Sequence, residues 1–142
     1  MIFDGDRHEL GQYMRHMADL MGLRDWYLTL THKEPLDDDH GAECDVSYGQ
    51  KCARIAFRDD WPTWDAEEVR RLMVHELIHR HVEPMRWAMN NTKHVVGAAT
   101  FEVIADGFMD VLEVAVDGMA REWARHLPLP VKDAENDAQE AV

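Results

Sequence analysis

"RLMVHELIHRH", residues 71–81, decides how this chain is read, because it contains His75-Glu76-Leu77-Ile78-His79. On a helix, residues four apart lie one turn apart on the same face, so His75 and His79 can aim both imidazoles at one metal ion. Glu76 stands one step round and can reach a water on that ion. At about 100° per residue, His75, His79, Leu72 and Glu76 share one arc of roughly 100°, while Val69, Met73, Val74, Leu77 and Ile78 fill most of the remainder. A surface helix carrying the pattern by chance, among nine histidines, would be polar over much of its circumference. This helix is expected to be buried.

A catalytic zinc takes three protein ligands and leaves one position open, so a third ligand must come from elsewhere. The metzincin continuation, His-Glu-x-x-His-x-x-Gly-x-x-His, is ruled out by Val82 and Met85, which stand at the glycine and third-histidine positions. Two candidates follow downstream, His94 in "TKHVVG" and Glu102 in "TFEVIADGF". His94 lies near the spacing at which SprT-like proteases supply a third histidine, but "HVVGAATF" departs from their glycine-containing signature. Glu102 and Asp106 are four apart on a long helix, which allows the glutamate to bind zinc while the aspartate holds a ligand histidine from behind. Glu102, Asp106, Asp110, Glu113 and Asp117 also fall within one arc of about 80°, the pattern of an ordinary solvated stripe. His81, two residues after His79, points away from the ion.

Around these two helices the pattern is that of a small α+β domain. Residues 6–21 place Leu10, Tyr13, Met14, Met17, Leu20 and Met21 at steps of three and four, an amphipathic helix stopped by Gly22. "DWYLTLTH" alternates Trp26, Leu28 and Leu30 with polar or smaller residues, as a half-buried strand does. "CDVSY" and "KCARIAF" flank Gly49-Gln50 and predict a hairpin, giving about three strands in a mainly antiparallel sheet. Asp65, three residues before Glu68, marks the start of the motif helix, and Pro84 is expected to end it. "PMRWAMNN" then reads as a loop, and a long helix capped by Asn91 or Thr92 runs from about residue 92 to 125.

Length and composition set the frame. A chain of 142 residues with 46% hydrophobic residues is read as one domain over residues 1–127, with an acidic, unstructured tail over 128–142. Fifteen Lys and Arg against 28 Asp and Glu give a net charge of −13, which opposes phosphate-driven binding and makes nucleic acid an unexpected partner. No window approaches the roughly 18 apolar residues of a membrane span, and the charged start lacks an export signal, so a cytoplasmic protein without membrane association is expected. Strand parity sets Cys44 and Cys52 on opposite faces, so both are expected as free thiols.

The pairing of His75-Glu76-x-x-His79 with a later helix bearing Glu102-x-x-x-Asp106 resembles the gluzincins. It is most similar to their very small members, the minigluzincins and small phage or prokaryotic zincin-like proteins, over residues 24–115. The resemblance implies a minimal zincin-like fold, one catalytic Zn²⁺ held by His75, His79 and Glu102, Asp106 behind a ligand histidine, and Glu76 as general base in peptide hydrolysis. It also implies an edge strand, here "ECDVSY", to which a peptide substrate adds. The alternative is a latent or non-catalytic zinc domain that acts through a protein partner.

Overall fold

The computed structural model describes residues 6–31 and 41–130, with the backbone alone for 43 and 44. The segment expected to be an unstructured tail lies, from residue 131 on, outside the described residues. Helix α1 spans Arg7–Leu20, begun by the Asp6 carboxylate accepting from the His8 N–H at 2.8 Å. Its expected face is buried through Leu10, Tyr13, Met14 and Met17, whereas Leu20 is exposed. Gly22, at φ 77°, supplies the left-handed turn that frees the chain to enter the sheet.

Strands β1 (Tyr27–Thr31), β2 (Ala42–Ser47) and β3 (Cys52–Phe57) form one sheet in the order β1-β3-β2. β2 and β3 form the expected antiparallel hairpin, with Cys44 opposite Ile55. β1 runs parallel to β3, from Tyr27 opposite Cys52 to Thr31 opposite Ala56, so the sheet is mixed rather than mainly antiparallel. A 3-10 turn over Tyr48–Gln50 and Lys51 at φ 48° close the hairpin, one residue beyond the expected Gly49-Gln50 turn. Cys52 is a free, partly buried thiol.

Helix α2 runs Ala66–Asn91, started by Asp65, whose carboxylate accepts from the Glu68 N–H at 2.8 Å. Val69, Met73, Val74, Leu77 and Ile78 are all at most 1% exposed, and with Ile55, Phe57 and the α1 side chains they form the core. At roughly 1.5–3 kcal/mol for each large apolar side chain removed from water, this ring of contacts fixes the motif helix in place.

The sequence reading ended this helix at Pro84, and the structure corrects that boundary. Pro84 lies inside α2, which continues through "PMRWAMNN" to Asn91. Proline removes one backbone hydrogen bond and costs about 3 kcal/mol in a helix interior. That cost does not break α2. A short helix α3 (Lys93–Val96) makes the turn, and α4 (Ala98–Ala124) starts at Gly97, not at Asn91 or Thr92. Gly97, at φ 81°, reverses the chain where a side chain would be strained.

α4 buries Leu112, Val116, Ala120 and Ala124, a ladder at steps of four confined to its second half. Its first half has no buried residue, and Val103 and Val111 are more than two-thirds exposed. Beyond α4 the chain remains on the domain: Arg70 donates to the Leu127 carbonyl and the Tyr13 hydroxyl to the Pro128 carbonyl, each at 2.8 Å. No helix is long and apolar enough to cross a membrane, among the described residues.

Candidate metal centre

The antiparallel packing of α2 on α4 sets which carboxylates meet the motif. The turn at 92–97 is centred near residue 94, which brings residues near 114 opposite His75. Glu113 and Asp117 occupy that position. They are one step round the helix from the buried Leu112 and Val116 and therefore project along the seam between the helices.

Three donor groups converge there. The His75 and His79 Nε2 atoms are 3.1 Å apart, and the Glu113 carboxylate places Oε2 3.4 Å from His75 Nε2 and Oε1 3.4 Å from His79 Nε2. A tetrahedral ion with bonds of about 2.0–2.1 Å spaces its ligand atoms about 3.3 Å apart, and each histidine Nε2 meets its own Glu113 oxygen at close to that spacing. His75, His79 and Glu113 form the one group of three potential ligands found among the described residues.

Asp117 Oδ1 lies 3.0 Å from His75 Nδ1, which fixes the proton on that nitrogen and turns a bare Nε2 toward the centre. Asp117 is itself braced by Arg121 at 3.2 Å. His79 is held neutral: its pKa is lowered to about 3, first by burial and then by its neighbours His75, Arg80 and Arg86. A neutral imidazole is what a metal ion requires. His79 Nδ1 is buried without a hydrogen-bond partner. Its neighbour Nε2 thus makes the ring's polar contacts, all of them inside the cluster.

Glu76 is 5% exposed and lines the same cleft, a cavity of about 740 Å³. The cleft opens between α2, α4 and the beginning of β2, where Gly41 and Ala42 form part of its wall. Gly41 is fitted closely there: a Cβ at this position would stand 2.9 Å from Leu72 Cδ1 and 3.0 Å from the Trp64 ring.

Of the residues singled out from sequence, His75, Glu76 and His79 come together. Glu102 and Asp106 do not join them. Both are exposed on the first half of α4, and Glu102 precedes Glu113 by eleven residues, about 16 Å of helix. Glu113 and Asp117 repeat the Glu-x-x-x-Asp spacing three turns later. The displacement follows from the Pro84 boundary: a turn centred near residue 88 would set His75 opposite residues near 101, and with them Glu102. His94 sits exposed on α3 at the hairpin tip. His81 faces the other way, with Nε2 2.9 Å from the Met21 carbonyl.

Tyr27 and Tyr48 are not among the residues lining the cleft. Tyr48 instead packs between Trp26 and Trp87, with ring centroids 6.5 and 5.9 Å away.

Comparison of the chain with protein-family models, with curated proteins and with solved structures gives no match. The reading of this site therefore rests on its own residues.

Proposed function

We propose that this chain is a zinc-dependent peptidase in which His75, His79 and Glu113 hold the ion, Asp117 orients His75, and Glu76 is the general base. The observation that carries the reading is the convergence of His75, His79 and Glu113, whose ligand atoms all lie within 4.8 Å of one another. It is backed by the Asp117 contact on the far nitrogen of His75.

Bound zinc would supply a Lewis acid that polarises a substrate carbonyl and makes a water acidic near neutral pH. The remaining work falls to the chain. Glu76, buried in the cleft wall one residue after His75, takes the proton of the attacking water and returns it to the leaving amine. Asp117 keeps the His75 ring from turning. Among the described residues β2 is an edge strand, paired to β3 alone, and its first residue, Ala42, lies in the cleft wall. An extended peptide adding to that edge would pass Glu76.

The test combines zinc analysis with cleavage. Protein purified without added metal should carry one equivalent of zinc, and Glu76→Gln should keep the metal while losing cleavage of an unstructured protein such as denatured casein. Zinc held by a wild-type protein that cleaves nothing would favour the non-catalytic zinc domain. Absence of stoichiometric zinc from the wild type would overturn both.

A further inference from the structure

We propose that the cleft recognises a substrate carboxylate, a free C-terminus or an acidic side chain, through Arg80 and Arg86. The inference rests on the zinc-peptidase reading and names its substrate class. Both arginines stand on α2 after His79 and line the same cavity as His75, Glu76 and His79. Arg86 follows His79 by seven residues, about 10 Å along the helix, so a group bound there lies a few peptide units from Glu76.

The two side chains differ in how they are held. Arg80 is 2% exposed, with its guanidinium 5.7 Å from the centre of the Trp26 ring, so its charge is fixed in the wall. Arg86 is 31% exposed at the cleft margin, and its Nη1 is 3.5 Å from Glu83 Oε2. That distance exceeds the roughly 2.7–2.9 Å of a charge-assisted hydrogen bond. An incoming carboxylate can therefore replace a long contact with a short, forked one.

The charge of the cavity points the same way. Arg58, Arg71, Arg80 and Arg86 all line it, in a chain whose net charge is −13. Among the described residues four carboxylates, Glu68, Glu76, Glu113 and Asp117, line it too. A divalent ion would then leave the described lining net positive inside an acidic protein. A positive cleft with low-dielectric walls concentrates anions even where the outer surface repels them.

The experiment uses zinc-loaded full-length protein and short synthetic peptide pools in matched pairs: one position fixed as Glu or Gln, and the C-terminus free or amidated. Cleavage is read by mass spectrometry, and binding, without turnover, from the side-chain Nε–H NMR signals of Arg80 and Arg86 in Glu76→Gln. Wild type should prefer one acidic form about tenfold or more, the scale of a charge-assisted hydrogen bond, and Arg86→Gln should lose that preference while keeping its zinc. Preference for Glu over Gln identifies a side-chain carboxylate; preference for free over amidated ends identifies the terminus. Arg80→Lys gives a second variant at the buried position. Cleavage without any acidic preference, or a preference unchanged in Arg86→Gln, overturns the proposal and leaves the peptidase reading standing. NMR shifts with acidic pools in a protein that cleaves nothing support carboxylate recognition and remove the peptidase reading. No shift and no cleavage removes both.

Discussion

His75 Nδ1 lies 3.0 Å from Asp117 Oδ1, across the seam between α2 and α4. One aspartate thus sets which nitrogen of the motif histidine faces the candidate metal centre. It ties the two helices together at the same point.

Asp117→Asn should weaken zinc binding by about 10–100-fold, the usual cost of removing a carboxylate behind a ligand histidine. The protein should remain folded, since Asp117 is 38% exposed. A competitive chelator titration measures the affinity. An unchanged affinity would mean that Asp117 orients nothing.

The pH dependence follows from His79. Its folded pKa is lowered to about 3 against an ordinary value of 6.5, so between those values the unfolded chain binds the extra proton. The associated stability is fully present above about pH 6.5 and is lost as pH falls toward 3; it is worth at most a few kcal/mol. Urea unfolding with chelator present should show wild type losing stability more steeply than His79→Gln over this window. Parallel curves would contradict the assignment.

Pro84 offers a test of the helix boundary. Because it lies inside α2, Pro84→Ala restores a backbone donor and should stabilise the protein, by up to about 3 kcal/mol. Thermal unfolding reads the change. A loss of stability would indicate that the chain needs proline to leave the helix there.

Gly41 is held against Leu72 and Trp64. Gly41→Ala forces those side chains to move, and a cost of about 1–3 kcal/mol is expected from overpacking. A tolerated alanine would show that the cleft wall gives way.

These residues also show what could be read from the sequence. The motif helix was legible because of its apolar flanks, and Val69, Met73, Val74, Leu77 and Ile78 are buried as the periodicity required. The hairpin was legible from alternation, but the parallel β1–β3 pairing was not, since alternation carries no strand direction. Glu102 and Glu113 are equivalent on the helical wheel, and only the pairing register of α2 and α4 distinguishes them. Register depends on where the turn falls, and reading Pro84 as a stop moved it by about six residues. A local signal was nevertheless present: the ladder Leu112-Val116-Ala120-Ala124 marks the half of α4 that has a core to face. The first half, around Glu102, has none.

The central claim is that Glu113, and not Glu102, completes the metal centre. Zinc affinity of the wild type, Glu113→Ala and Glu102→Ala, measured by competition with a chelator, tests it most directly. The account predicts that Glu113→Ala loses affinity by at least the 10–100-fold expected for an outer-group change, while Glu102→Ala matches wild type. Full affinity in Glu113→Ala, with loss in Glu102→Ala, would contradict it.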